Sequence, residues 1–287
     1  MITDVPGVLA GHWTGDATGV TVVLLPPETC GAAEIRGGAP AERELAVLEP
    51  GRTVEHVDAV VFTGGSAFGL ATADGIADEL ARQGRGFPTR VGPVPIVATA
   101  AIFDLVENGV RPGPDEGVAA LHAAQCGEPF TIGRVGAGRG ATIGKWRGPE
   151  HAVPGGLGSA STRVGDATVG ALAVVNAVGD VIASDGSMLA GSQAPPGTEA
   201  FSETRPFEAG NTTLVAVVTD ARLSKGECHL VAQSGHLGMA HAIHPSHTRH
   251  DGDLVIACAT GAVDAHLDRL CVAATEVVAD AIRAAVS

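Results

Sequence analysis

Apolar residues in this chain come in short runs punctuated by glycine, and those runs predict strands interleaved with helices. Residues 19–25 (GVTVVLL) and 58–62 (DAVVF) are β-branched segments bounded by turn residues, as buried strands are. Gly64, Gly65 and Ser66 then open a helical pattern from Ala67 to about Arg85, with glycine just beyond its end. Apolar positions returning at three- and four-residue steps predict another helix over residues 96–107. Residues 167–175 and 181–183 read as a strand pair about a bend at 176–180. Further strands at 214–218 and 254–259 alternate with helices near 224–241 and over 264–285. With no clean break between these elements, one α/β or α+β body is the economical expectation.

Composition narrows the function. Of 287 residues, 45% are hydrophobic and 17% charged, which argues for a packed core and against disorder. Forty glycines and 17 prolines imply many tight turns and close backbone contacts. A net charge of −14 without any Lys/Arg run argues against a nucleic-acid partner. No apolar run is long enough to span a bilayer. The opening MITDVPGVLAGHW lacks a basic segment followed by an apolar one, so a signal peptide is not expected. Cys30, Cys126, Cys228, Cys258 and Cys271 are odd in number and widely spaced, which suits the reducing cytoplasm.

Several motifs are candidates for chemistry. Phe62-Thr63-Gly64-Gly65-Ser66-Ala67-Phe68-Gly69 has the form of a nucleophile elbow, but Phe68 stands where the second glycine is required. A tight strand–helix junction is the plainer reading. Gly136-Ala137-Gly138-Arg139-Gly140-Ala141 fits one form of the dinucleotide fingerprint, without a clear strand before it or helix after it. A nucleotide-binding protein using this loop is one alternative to an enzyme; an ordered glycine-rich loop is the simpler reading. Lys145 is a cation in an apolar, glycine-rich setting that could hold it near a site. His236, His241, His244, His247 and His250 cluster, yet Pro245 interrupts them and no H-E-x-x-H occurs, so solvated or core histidines fit better than zinc ligands.

Asn211-Thr212-Thr213 leads into the apolar run LVAVV. A hydroxyl residue there is either ordinary β packing or something sharper. A threonine freed at a chain start carries both a nucleophile and its own base, an α-amine of pKa ~7.7–8.0. Asp251 and Asp253 lie two residues apart and share a face on extended backbone. Mutual repulsion lets one of them keep a proton near neutrality. An Asp-Gly turn before a strand is the competing reading.

Taken in order, the blocks TDVPGV at residues 3–8, His12-Trp13, RGGAP at 36–40, TGGSAFGL at 63–70, VGAG at 135–138, GKW at 144–146, GGLGS at 155–159, VNAVGD at 175–180, GNTTL at 210–214, VTDA at 218–221 and DGD at 251–253 leading into ACAT at 257–260 resemble one family over nearly the whole chain. These are the L-aminopeptidase/D-esterase-like N-terminal-nucleophile peptidases, which include β-aminopeptidases and the nylon-oligomer (6-aminohexanoate-oligomer) endo-hydrolases. The chain has no tyrosine, and Thr212 stands where the β-aminopeptidases use serine, so the resemblance is to the threonine-nucleophile branch.

The resemblance implies an α+β fold, a four-layer αββα sandwich like other N-terminal-nucleophile hydrolases but with different strand connectivity. It implies a single catalytic domain over 1–287 that cuts itself between Asn211 and Thr212 into 1–211 and 212–287, without metal or other cofactor. The implied assembly is a homo-oligomer, a tetramer of processed heterodimers. The implied substrates are short peptides, amino-acid amides or ω-amino-acid oligomers. Thr212 would attack the Asn211 carbonyl, with Gly210 admitting the distorted backbone this needs. In the mature enzyme its α-amine would act as base, hydrogen-bonded by Asp251 and Asp253. Asn176 would be the oxyanion donor, and Lys145 would stabilise charge or lower a neighbouring pKa. The remaining alternative is an uncut, non-catalytic family member.

Overall fold

In the strand Thr212–Ala221, Leu214, Ala216 and Val218 point to one face and Val215 and Val217 to the other, and all five are buried. A strand apolar on both faces belongs at the centre of a layered fold. The computed structural model, which describes residues 1–201 and 210–287, bears this out with two stacked five-stranded sheets. Among the described residues four α-helices accompany them: α1 (Thr72–Arg82), α2 (Pro114–Gln125), α3 (Lys225–Ala242) and α4 (Leu267–Ala284).

The first sheet has the order Leu9–Thr14, Gly19–Leu24, Ala59–Thr63, Val97–Ala101, Glu42–Arg43. Val20, Val22, Ala59 and Val61 of its outer face pack on Ala73, Ile76 and Leu80 of α1 and Leu121 of α2. Its inner face sends Val23, Val60, Phe62 and Ala98 into a core shared with Leu172, Val174, Leu214, Ala216 and Ile256 of the second sheet. The second sheet in turn packs Val215, Val217 and Val255 against Val231 of α3 and Ala274, Val277 and Val278 of α4. The layers therefore run helices, sheet, sheet, helices. Truncating a buried leucine such as Leu214 to alanine would cost about 2–5 kcal/mol.

The helices carry local signals for their ends. Ser224 caps α3, accepting the Glu227 N–H while Glu227 reaches back to the Ser224 N–H at 2.8 Å. Pro114 occupies the first turn of α2, with Asp115 and Glu116 beside the positive end of the helix dipole. In α4, Leu270, Ala273, Ala274, Val277, Val278, Ala281 and Ile282 form one buried stripe at helical spacing.

Two expectations from sequence need correction. Residues 96–107 do not form a helix: Val97–Ala101 is a fully buried strand lying parallel to Ala59–Thr63. Both of its faces are covered, so no polar alternation betrays it, and its three alanines favour helix until tertiary packing overrides them. Residues 167–175 and 181–183 do not pair with each other. Ala167–Asn176 lies between Gly156–Val164 and Thr212–Ala221, whereas Asp180–Ile182 joins a small sheet with Met188–Ala190 and Ile243–His244. The helix after Gly65 begins with a 3₁₀ stretch, Ser66–Ala71, before α1 proper.

Candidate active site

The second sheet has the order Gly156–Val164, Ala167–Asn176, Thr212–Ala221, Leu254–Val263, Cys30–Ile35. Its register gathers the candidate residues at one end. Asn176, the last residue of its strand, is the antiparallel partner of Thr212, the first residue of the next. On the other side Leu214 and Leu254 are parallel partners, so the segment before Leu254 runs alongside Thr212. A parallel bridge between Asn211 and Asp251 extends that pairing. Arg36, Gly37 and Ala39 support this segment from behind, donating their N–H groups to the Asp253 and Asp251 carbonyls at 2.8–3.0 Å.

At the centre, the Thr212 hydroxyl donates to the carbonyl oxygen of Asn211 at 2.5 Å. The same oxygen accepts the Gly252 N–H at 2.8 Å. Gly252 must be glycine, because a Cβ there would lie 2.7 Å from the Thr212 Oγ1 and 3.0 Å from the Ala39 carbonyl oxygen. Gly210, with φ of +152°, adopts a backbone conformation that side chains disfavour, next to the Asn211–Thr212 peptide.

One residue upstream, the Gly210 carbonyl accepts two side-chain donors, Asn176 Nδ2 at 2.8 Å and Lys145 Nζ at 2.9 Å. Lys145 Nζ also donates to the Asn176 backbone and side-chain oxygens, both at 3.0 Å, so its three protons meet three carbonyl oxygens. The Asn176 Oδ1 accepts the Thr142 N–H as well, at 3.0 Å, which fixes the orientation of the amide. Burial pushes the Lys145 ammonium down to about 7, against the opposing pull of the Asp251 charge.

The two aspartates are almost fully enclosed and differently held. Asp251 accepts the Thr248 N–H at 3.0 Å and hydroxyl at 2.6 Å on one oxygen, and the Val178 N–H at 3.3 Å on the other. Burial, and then the neighbouring Asp253 charge, raise its carboxyl to about 6 despite those donors. Asp253 accepts the Thr213 N–H at 2.7 Å on Oδ1, and the His247 N–H and ring Nδ1, each at 2.9 Å, on Oδ2.

All six residues singled out from sequence, Lys145, Asn176, Asn211, Thr212, Asp251 and Asp253, thus meet in one cluster. Two contacts are particular to the uncut chain. The carboxylates do not bond the Thr212 nitrogen or hydroxyl in this uncut chain; Asp253 reaches the next amide, that of Thr213. Asn176 holds the Gly210 carbonyl rather than that of Asn211, whose donor is the Gly252 backbone. Gly252 and Phe103 also border the cluster, although their residue types carry little catalytic signal in the sequence. The half-exposed Phe103 ring comes within 3.2 Å of where a Gly210 Cβ would stand. The one legible clue to Gly252 was a glycine enclosed by two acids.

The other motifs serve the fold. Ser66 has a φ of +54°, yet among the described residues its hydroxyl meets no histidine or carboxylate. The elbow and the glycine loop instead converge on Asp104, which accepts the Gly65 N–H at 2.6 Å and lies 2.6 Å from where a Gly140 Cβ would stand. Gly136–Gly138 is a single 3₁₀ turn followed by the strand Thr142–Ile143, so no helix N-terminus awaits a phosphate. His236 is buried, with Nε2 2.9 Å from the Glu34 carbonyl oxygen, and His247 faces Asp253. Among the described residues no three His, Cys, Asp or Glu side chains converge as a metal site.

A helix–sheet–sheet–helix sandwich with a polar cluster at one strand end is the architecture of N-terminal-nucleophile hydrolases. Solved structures agree. A Burkholderia sp. β-aminopeptidase superposes with a TM-score of 0.74 at 25% identity, over 99% of this chain and 85% of that one. The L-aminopeptidase D-Ala-esterase/amidase of Ochrobactrum anthropi, described as a variant of the Ntn hydrolase fold, also gives 0.74, at 19% identity over 99% and 85% of the two chains. The chain matches Peptidase family S58 over residues 1–287 and belongs to that family of hydrolases. Among its relatives are an uncharacterized aminopeptidase of Mycobacterium leprae, 43% identical over 92% of this chain and 79% of its own length. Another is the 6-aminohexanoate-oligomer endohydrolase of Paenarthrobacter ureafaciens, 35% identical over 91% and 75%.

Proposed function

We propose that this chain is a self-processing amide hydrolase with Thr212 as nucleophile. The observation that carries the reading is the Thr212 hydroxyl resting at 2.5 Å on the Asn211 carbonyl oxygen, which also holds the Gly252 N–H at 2.8 Å. Attack of Oγ1 on the Asn211 carbonyl carbon breaks the peptide C–N bond, and the hydroxyl proton passes to the departing Thr212 nitrogen. Negative charge developing on the carbonyl oxygen falls on the Gly252 N–H, an oxyanion donor already in place. Water then opens the resulting ester, giving a carboxylate on Asn211 and a free α-amine on Thr212.

In the processed enzyme the α-amine takes the Thr212 hydroxyl proton as Oγ1 attacks a substrate amide, then returns it to the leaving amine. The acyl-enzyme ester is released by water through the same base. Asn176 Nδ2 and Lys145 Nζ, which converge on one carbonyl oxygen here, act on the substrate carbonyl. Asp251 and Asp253 orient the amine. The substrates are short peptides, amino-acid amides or ω-amino-acid oligomers. Support for an apolar substrate chain comes from Phe103 and from an aromatic rim in which Phe201 lies 6.4 Å from Trp146 and 6.1 Å from His250, measured between ring centroids. The reading includes a homotetramer of processed heterodimers and, supported by five unbridged cysteines, a cytoplasmic setting. No helix among the described residues is long and apolar enough to cross a membrane.

Intact mass spectrometry of freshly purified protein tests this directly. Two species meeting at Asn211/Thr212 support it; amide hydrolysis by a permanently single chain overturns it.

A further inference from the structure

We infer that His247 is a positioning residue for the reaction: its ring locks the Asp253 carboxylate in the rotamer that aims Oδ1 at the start of the Thr212 strand. The inference rests on the reading of Thr212 as nucleophile and adds a residue to it.

Asp253 is enclosed, with 2% of its side chain exposed, so its oxygens depend on protein donors. Oδ1 takes the Thr213 N–H at 2.7 Å, one residue from the nitrogen that becomes the free amine. Oδ2 takes two donors from one residue, the His247 backbone N–H and ring Nδ1, both at 2.9 Å. A carboxylate only accepts, so Nδ1 carries the proton in this contact. The paired donors form a clamp that fixes the carboxylate plane and leaves Oδ1 on the reaction side.

The clamp is itself built. His247 has a φ of +56°, a left-handed conformation that a non-glycine residue seldom adopts, and this turns both of its donors toward the same oxygen. Its ring stands edge-on to the buried His236, with centroids 4.8 Å apart, and its Nε2 lies 3.5 Å from the His236 carbonyl oxygen. His236 is anchored in turn to the Glu34 carbonyl oxygen at 2.9 Å. The chain of contacts Glu34, His236, His247, Asp253 connects the edge strand Cys30–Ile35 to the nucleophile strand. Two of the five clustered histidines therefore acquire a reason for their positions.

The test must separate the ring donor from the strained backbone. His247→Gly relieves the positive φ but removes the donor; His247→Asn tolerates the same φ and offers Nδ2 close to where Nδ1 stood. Self-cleavage is followed by intact mass, and kcat and KM are measured on a 6-aminohexanoate oligomer. The glycine variant is expected to slow both reactions, with kcat falling by about 10²-fold and KM changing little, as misplacement of a reacting group does. The asparagine variant is expected to recover at least tenfold over glycine. Wild-type kcat in the glycine variant, or asparagine no better than glycine, overturns the inference. Thr212→Ala, run alongside, keeps the two readings apart: if it is dead while the His247 variants are unimpaired, only the role of His247 fails.

Discussion

Asn176 and Thr212 are antiparallel partners, the last residue of one strand facing the first of the next. Because both lie within sheet ladders, their relative placement is set by strand register and not by loop conformation. A one-residue slip would turn every side chain of the Thr212–Ala221 strand to the opposite face. The packing of Leu214, Ala216 and Val218 between the sheets thus also fixes where the hydroxyl of Thr212 stands.

Thr212→Ala is expected to leave a single chain of 28.6 kDa and no measurable amide hydrolysis. Thr212→Ser keeps the hydroxyl and is expected to retain both self-cleavage and turnover. Mass spectrometry and a substrate assay on the two variants check the assignment; turnover by the alanine variant refutes it.

Gly252→Ala places a methyl group 2.7 Å from Thr212 Oγ1 and displaces either the hydroxyl or the Gly252 N–H. Loss of an oxyanion donor typically costs about 10²–10³ in rate. Self-cleavage is expected to slow by that order, measured as the half-time for conversion of the uncut chain. Unchanged kinetics would remove Gly252 from the oxyanion role.

Asn176→Ala deletes the donor to Gly210 and strands the Thr142 N–H and part of the Lys145 bonding. Turnover is expected to fall by about 10²–10³. Melting temperature should fall as well, since a buried donor left without its partner costs about 1–3 kcal/mol. Circular dichroism that retains the native spectrum alongside the kinetic loss distinguishes this from unfolding.

The buried ionisable groups give stability a defined pH dependence, best read in the uncut Thr212→Ala background. Lys145 sits at about 7 in the fold against an ordinary value of 10.5. Between those values the unfolded chain binds the extra proton, so the contribution is complete above 10.5 and is lost as pH falls through 7. Relative to Lys145→Met, the Lys145 protein should gain melting temperature as pH rises from 7 to 10. Asp251 sits at about 6 against 3.8, the opposite sense. Relative to Asp251→Asn, the Asp251 protein should lose stability as pH rises from 4 to 6. Flat difference curves over these windows contradict both burial effects.

The residues themselves explain which parts of this structure were legible in advance. The runs GVTVVL and DAVVF are rich in β-branched residues with turn signals at their ends, and they form strands where expected. Val97–Ala101 gives a helical signal in sequence because alanine favours helix and burial on both faces removes the period-two alternation. The strand Cys30–Ile35, with two alanines and a glycine, lacks a strand signal for the same reason. The helix Pro114–Gln125 lies outside the elements that the apolar pattern predicts, although Pro114 followed by two acids is a start signal. Thr212, Asp251 and Asp253 carry recognisable chemistry in their side chains. Gly252 and His247 do not: one meets the Asn211 carbonyl through its backbone N–H and the other meets the Asp253 carboxylate, contacts that only the fold brings together.

The strand order carries one more consequence. Within the second sheet, Thr212–Ala221 and Leu254–Val263 lie side by side, hydrogen-bonded on one flank to Ala167–Asn176 and on the other to Cys30–Ile35. A nick before Thr212 would leave the shorter fragment inlaid between strands of the longer one, with neither ladder disturbed. Such a nicked protein would melt as one cooperative unit, yet once denatured its recovery would become a meeting of two molecules and slow with dilution.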